Sequence, residues 1–558
     1  MPPFSTASPL GSHDVTNQVP PLEEYNLYEQ NIVLREAVER EGGGWASDRL
    51  AAYGGRMGSA EMYEAARMAN TWAPVLHTHD RYGHRIDEVE FHPSYHKLMR
   101  VAVEHGNHAM AWMEKRAGSH VARAALCIMH SEVEPATQCP LTMTHSVIPS
   151  LRNQPEIAAE WEPRILTNTY DGSMRPANQK AGATMGMAMT EKQGGSDVRA
   201  NSTRAVPMSG AVGPGAEYLL TGHKWFCSAP MSDAFLTLAY TDSGLSCFFV
   251  PRFTPDGAKN NFFLQRLKRK IGNRANASSE LEYRNTWAKM VGEDGRGVPT
   301  IIEMVHHTRL DVALGATGLM RQAISQALHH AQYRFTFGKR LIEHSLMKNV
   351  LADLSLEVEA ATALSLRMAR AFDAGDQPAE RLLARLGTAV SKYWISKRAT
   401  NHVTECLECH GGNGYIDDQI MGRLFREAPL GSIWEGSGNV QCLDVLRALK
   451  KTPHVAEALV QELDGAQGVN RTYDVFVERL KDSLRLTADL QIRARRFVAD
   501  IALALSGAQL VQHAPSEVSD AFCASRLGGD WGQEYGTLSS AVAFDRIIDR
   551  ARPRIGQD

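Results

Sequence analysis

One tract interrupts an otherwise helical text, and it limits the folds open to this chain more than any other feature. Between Met185 and about Val291 the sequence reads as strands. Tyr218-Leu219-Leu220-Thr221, Phe235 through Tyr240 and Cys247 through Pro251 are short β-branched or aromatic runs punctuated by Gly, Asp, Ser and Pro. On either side the texture is helical. Residues 31–38, 59–69, 95–128 and 158–165 have helical composition before the tract. After it, Leu351, Leu354, Val358, Ala361 and Leu364 recur at the spacing of one buried helix face. Residues 299–334, 346–373, 379–408 and 440–450 make four such helices, enough to close a bundle. Residues 455–463, 475–484, 489–514 and 539–551 add further helical text. The expected fold is α+β: an N-terminal extension and helical domain over 1–184, an antiparallel β domain over 185–291, a helical bundle over 292–450 and an appended helical domain over 451–558.

Composition sets the class. At 558 residues, 43% hydrophobic and 22% charged, the chain has ample material for a core in each domain. A formal charge of −3 makes it no polycation, so contact with nucleic acid would need a local patch. No apolar run reaches the roughly 18 residues of a membrane span. Residues 1–21 lack the basic and apolar regions of a secretory signal, and no Arg precedes Arg35. The eight cysteines are therefore expected to stay reduced in a cytoplasm, and residues 1–24 to form a tail that clamps a partner subunit.

The chemistry concentrates near Gly431-Ser432-Ile433-Trp434-Glu435-Gly436-Ser437-Gly438-Asn439. A carboxylate beside an aromatic wall and a glycine-serine turn suits a general base, because exclusion of water raises its basicity. The same residues also read as a helix start, with Ser432 as N-cap and Glu435 as its capping-box partner. Rossmann, Walker, zincin and nucleophile-elbow motifs are missing from the sequence. Cys406-Leu407-Glu408-Cys409-His410 matches a haem-attachment pattern, but that chemistry needs export, and zinc would need a second ligand pair. Two buried thiols are expected there, and no metal site. Arg266 to Lys270 reads as a solvated strand face.

Four further tracts suit a flat, phosphorylated ligand. In Met185-Gly186-Met187-Ala188-Met189-Thr190-Glu191-Lys192-Gln193-Gly194-Gly195-Ser196-Asp197, hydroxyls and glycine amides alternate at the mouth of the β domain. Gly222 to Ser228 sets an aromatic pair before a hydroxyl. Arg334-Phe335-Thr336-Phe337-Gly338 places a guanidinium at a helix end, where it can pair bidentately with a pyrophosphate. His410-Gly411-Gly412-Asn413-Gly414-Tyr415 is the fourth.

These tracts, in this order around a central β domain, resemble the acyl-CoA dehydrogenase flavoprotein superfamily over about residues 60–450. Arg40 to Trp45, Phe91-His92-Pro93, Gly244 to Arg252 and the C-terminal extension are similar to its AidB branch, associated with the bacterial response to DNA alkylation. The resemblance implies a homotetrameric oxidoreductase with FAD extended between the β domain and the bundle, its far end meeting a neighbouring subunit. Met187, Ala188, Met189, Thr190, Glu191, Gly195, Ser196, Phe226, Cys227 and Ser228 would hold the isoalloxazine and ribityl chain. Arg334, Phe337, Gly411 and Gly412 would meet the adenosine diphosphate end, with Ile433, Trp434, Gly436, Ser437, Gly438 and Asn439 closing over the flavin. Glu435 matches the carboxylate that removes the α-proton of an acyl thioester while hydride leaves the β-carbon. A second branch takes its base from the position of Thr308, which cannot serve.

His306 stands where many members carry an Asp that helps hold coenzyme A, and Ser345 and Lys348 replace glutamines that face a partner's cofactor. CoA recognition and the subunit contact are therefore open to difference. The branch also implies non-specific binding of double-stranded DNA. Arg447, Lys450, Lys451, Arg493 and Arg496, with Arg550, Arg552 and Arg554 nearby, are either its phosphate-binding face or ordinary solvated helix charge. A metabolic acyl-CoA dehydrogenase is the alternative, and a DNA-binding module with structural FAD a third reading.

Overall fold

The barrel begins where the strand texture predicts, but an unforeseen hairpin precedes it. The computed structural model describes residues 13–486 and 489–555. Strands β1 (Val75–His79) and β2 (Arg85–Glu90) form the hairpin. The main sheet follows: β3 (Met185–Ala188), β4 (Arg204–Pro207), β5 (Glu217–Ser228), β6 (Ala234–Thr241), β7 (Gly244–Pro251), β8 (Phe262–Leu267) and β9 (Ser278–Val291). Its order is β3-β6-β4-β5-β9-β7, with β8 on β9, and β6 also pairs β7 so that the sheet closes on itself. Pairing is mainly antiparallel, as expected, but β3 and β4 each run parallel to β6. Closure buries a ring stack of Phe235 on Phe262 at 5.1 Å. Gly186 on β3 lies against the Phe235 ring so closely that a Cβ would collide with it, which is why the strand needs glycine there.

The chain divides into two compact units. One comprises Glu61–Val312 and Trp434–Val440, and the other Met1–Ala60, Ala313–Ile433 and Gln441–Asp558. In the barrel-containing unit, the expected helical run over 95–128 is resolved into three pieces, Pro93–Glu104, Met110–Met113 and Ser119–Val133. Gly106 and Gly118 break it with φ of 78° and 81°, a conformation glycine adopts without penalty. A further helix, Pro135–Leu151, is buried along nearly its whole length although it contains Pro140 and Pro149. The helix Gly297–Tyr333 contributes its first residues to this unit. Arg123 and Asp311 join these helices through a buried bidentate pair, and Thr142 adds a hydroxyl to Asp311 at 2.6 Å.

In the other unit the bundle helices Ser345–Asp373 and Pro378–Glu408 pack with the C-terminal helices. Asp353, Glu357 and Glu359 are buried on the first of these helices. Arg526 meets Asp353 and Glu357, Arg398 meets Glu357 at 3.0 Å, and Arg550 meets Glu359 at 2.7 Å. Arg367 likewise joins Glu380 and Glu462. Helix was expected over 539–551 but begins only at Phe544–Ala551. The expected N-terminal clamp falls partly on residues 1–12, outside the described residues; from there on, the Pro20 carbonyl meets His329 of Gly297–Tyr333 and Asn17 accepts from the Phe335 amide just beyond that helix, both in their own chain.

Breaking the Arg123–Asp311 pair on one side leaves a buried charge without its counterion. Asp311→Asn is expected to cost about 3–5 kcal/mol in urea unfolding, while the apolar double change Arg123→Met with Asp311→Leu costs clearly less.

Candidate functional site

The loop after β3 is shaped from below by one buried ion pair. Lys224 Nζ lies 2.7 Å from Glu191 Oε1 and also donates to the Leu238 carbonyl. Glu191 further accepts from the Ser202 amide and the Thr203 hydroxyl, at 2.6 and 2.5 Å. Burial pushes the Glu191 carboxyl up, but Lys224 and these hydrogen bonds outweigh it and hold it at about 2. Burial draws Lys224 down to about 8 against the opposing pull of Glu191. The Glu191 side chain is thereby turned into the protein, and the loop presents half-buried Thr190 and exposed Gly195 and Ser196. Met187 and Ala188 are buried, with the Ala188 carbonyl accepting from Thr237 at 2.6 Å. The Trp225 amide bonds the Thr190 carbonyl and ties the loop to β5.

A bulge completes this surface. The register of β5 on β9 slips between Lys224 and Cys227, and such a slip re-aims side chains at a sheet edge. Lys224 and Cys227 point inward while Phe226 is 50% exposed and Ser228 half-buried. Lys268 stands over the Trp225 ring and shares Glu280 with Arg266; Arg266 and Arg269 are exposed, as a solvated face requires, although β8 ends at Leu267 and only the start of the basic tract is strand.

Glu435 does not cap a helix. The next helix starts at Gly438–Lys451, and Ser432 donates its hydroxyl to the Pro429 carbonyl instead. Glu435 sits in the turn before it with φ of 54°, left-handed and unusual for a residue with a Cβ. Two neighbours on Gly297–Tyr333 hold it there. Thr308 donates to Glu435 Oε2 at 2.8 Å, and Arg309 Nε donates to the Glu435 carbonyl at 3.1 Å. Trp434 packs on the apolar cluster that contains Met187 and touches Met189, which brings two of the sequence tracts together. Cys139 lies near a third: burial pushes its thiol up to about 12, with the Glu435 charge raising it further and Ser228 opposing the rise. Gly436, Ser437, Gly438 and Asn439 continue the turn into the helix. Thr308 as a donor and Cys139 as a neighbour were not expected; neither carries a motif.

The remaining tracts belong to the other unit. Phe337 and Gly338 form the tight turn between the short strands β10 (Phe335–Thr336) and β11 (Lys339–Arg340), both with positive φ. Phe337 is 99% exposed, and Arg334 donates to the Asn17 carbonyl at 2.5 Å. Gly411 and Gly412 are exposed, as is Ile433. Both Cys406 and Cys409 are buried free thiols, and His410 bonds the Cys406 carbonyl at 2.7 Å, a local helix-end contact. Lys348 pairs with Asp545 of the C-terminal helix Phe544–Ala551 at 2.8 Å. Lys450, Lys451 and Arg493 are exposed; Arg447 lies 3.7 Å from Asp444 and Arg496 2.9 Å from Asp500. Arg550 and Arg552 are answered by Glu36, Glu359 and Asp549.

Residues 17–172 match the Adaptive response protein AidB N-terminal domain, 186–286 the middle domain of acyl-CoA dehydrogenase and 295–450 its C-terminal domain. The chain is 44% identical to AidB of Escherichia coli strain K12 over 539 residues, 96% of this chain and 98% of that protein. Caenorhabditis elegans ACDH-11, solved in complex with C11-CoA, shares 26% identity and a TM-score of 0.84 over 92% of this chain and 94% of its own. In fold alone, a glutaryl-CoA dehydrogenase from Mycobacterium smegmatis in complex with FADH2 is similar, with 21% identity and a TM-score of 0.53 over 63% of this chain and 86% of its own. With the barrel, the helices around it and these matches along nearly its whole length, the chain belongs to the acyl-CoA dehydrogenase family, in its AidB branch.

Proposed function

We propose that this chain is an FAD-dependent, acyl-CoA dehydrogenase-type oxidoreductase in which Glu435 takes the α-proton of an acyl thioester. The observation that carries the reading is the two-point grip on Glu435. Thr308 donates to one carboxylate oxygen and Arg309 to the backbone carbonyl, so the carboxylate is held in one orientation, as a positioned base requires. Trp434 forms a dry wall next to it. The residues fit a flat, phosphorylated cofactor. Trp434 Nε1 is buried and has no hydrogen-bond partner among the described residues. A Cβ on Gly411 or Gly412 would meet nothing within 4 Å, which leaves the backbone open to close approach.

Met187 to Glu191, Gly195, Ser196 and Phe226 to Ser228 are assigned to the isoalloxazine and ribityl chain, mostly through backbone, since Glu191 and Cys227 turn their side chains inward. Trp434, Gly436, Ser437, Gly438 and Asn439, with Ile433, are assigned to its cover, and Arg334, Phe337, Gly411 and Gly412 to an adenosine diphosphate end at a subunit contact of a homotetramer. When bound, FAD supplies the acceptor for the hydride leaving the β-carbon.

From the resemblance to the AidB branch we further propose a cytoplasmic protein that binds double-stranded DNA non-specifically and protects against alkylation. A metabolic role in α,β-desaturation is the second reading, favoured by the C11-CoA held by the C. elegans relative. His306 in place of an Asp leaves coenzyme A recognition to other side chains.

Anaerobic mixing with a panel of acyl-CoAs is expected to bleach the flavin absorbance. Glu435→Gln should slow bleaching by about 10²–10⁴-fold, and Thr308→Val by about tenfold through lost aiming. Bleaching at the wild-type rate in Glu435→Gln would remove it as the base.

For DNA, truncation is a poor test, because it would strip Arg526 and Arg550 from the buried carboxylates they answer. Charge neutralisation is cleaner. Binding to a random duplex is expected to weaken steeply with salt, and Lys450→Gln with Lys451→Gln to flatten the log–log slope by about two. An unchanged slope assigns DNA to another surface.

A further inference from the structure

Three histidines far apart in sequence converge within the barrel-containing unit, where the flavin reading gives them no task. His120 lies on the helix Ser119–Val133, His145 on Pro135–Leu151 and His307 on Gly297–Tyr333. Each offers a ring nitrogen, and the three nitrogens lie within 4.8 Å of one another. Their ring centroids form a nearly equilateral triangle of 5.7, 5.6 and 5.6 Å. Three imidazoles bound to one ion at the usual metal–nitrogen distance of about 2.0–2.1 Å place their ring centroids about 5–5.5 Å apart. Small side-chain rotations close the difference. The Trp112 ring stands 5.1, 5.2 and 5.3 Å from the three histidines and caps the fourth direction.

The surroundings orient the donors as a metal site requires. His145 Nδ1 faces the His108 carbonyl at 3.3 Å, and since a carbonyl only accepts, the ring proton sits on Nδ1 and Nε2 is left as a ligating lone pair. Trp112 is fixed in turn by its Nε1 donating to the His145 carbonyl at 2.8 Å. The nearby cations do not present bare charge: Arg123 is matched by Asp311 and Arg152 by Glu162. A donor set of imidazoles without a carboxylate selects zinc, cobalt, nickel or copper over magnesium or calcium.

We propose that His120, His145 and His307 form a closed three-histidine site for one divalent transition-metal ion, with zinc as the natural occupant. The ion joins three helices at the residue immediately before Thr308, whose hydroxyl aims Glu435. Its role is to brace that segment, and it takes no part in proton or hydride transfer.

The test uses the full-length flavoprotein stripped with chelator and reloaded with zinc chloride or cobalt chloride. Elemental analysis after desalting is expected to find about one zinc per chain, and cobalt to give the visible bands of a low-coordinate nitrogen site. Zinc should raise the melting temperature, reversibly on adding chelator. His120→Gln and His307→Gln, each checked for native circular dichroism and flavin content, should weaken zinc at least about tenfold and lose the cobalt bands. Wild-type protein that retains no zinc and shows no cobalt bands overturns the proposal and leaves the four rings as a packing cluster. Equal zinc retention in the two variants overturns it as well. If neither variant folds, the cobalt spectrum of the wild type decides alone.

Discussion

The grip of Thr308 and Arg309 on Glu435 is the constraint on which the site depends. A left-handed backbone at a residue with a Cβ costs about 1–3 kcal/mol and persists only where neighbours over-determine it. Arg309 supplies one of those contacts at the carbonyl, Thr308 a second at the carboxylate, and Trp434 a third by packing into the apolar cluster. All three fail if the helix Gly297–Tyr333 shifts relative to its neighbours. That helix is held in turn by the Asp311 carboxylate, three residues from Thr308, which binds Arg123 of one helix and Thr142 of another. The aim of the Glu435 carboxylate is therefore set by a buried ion pair that lies outside every recognisable motif.

The same logic operates in the barrel. Glu191 lies inside the motif run that follows β3, yet its carboxylate is spent on Lys224, Ser202 and Thr203. A buried carboxylate with this many donors fixes the loop backbone, and the exposed residues that follow can then be presented in one conformation. The β5 bulge contributes in a similar way, sending Lys224 inward to the carboxylate and Phe226 outward at the rim. One side chain anchors and its near neighbour faces outward, which explains why motif residues of opposite burial occur side by side.

What could be read from the sequence follows from how local each signal is. Long helices such as Ser345–Asp373 and strands such as Ala234–Thr241 carry their periodicity within themselves and formed where expected. The helix Pro135–Leu151 escaped notice because prolines mark breaks in isolated segments, whereas burial on all sides lets tertiary packing override that preference. Gly106 and Gly118 had the opposite effect, dividing a run of helical composition into separate helices. The local capping-box pattern at Ser432 and Glu435 was real as a pattern but misleading as structure, since the helix starts six residues after Ser432, at Gly438. Barrel closure through β6 and β7, the Thr308 donor and the histidine triangle are non-local pairings without a spacing rule, so only coordinates bring them together.

Charge shows the same limit most clearly. Counted along the chain, the C-terminal region looks rich in arginine and open to phosphate. In the folded chain Arg526 and Arg550 serve carboxylates on Ser345–Asp373, and Arg496 and Arg552 have acidic neighbours on their own helices. A buried Asp or Glu demands a counterion whose loss leaves an uncompensated charge, so Arg526 and Arg550 are committed to holding the C-terminal helices on the bundle before any external anion can claim them. Lys450 and Lys451, at the end of Gly438–Lys451, are exposed. An extension that began as a separate helical text is thus an ionic part of the bundle, and whatever surface it offers to a polyanion is smaller than its sequence suggests.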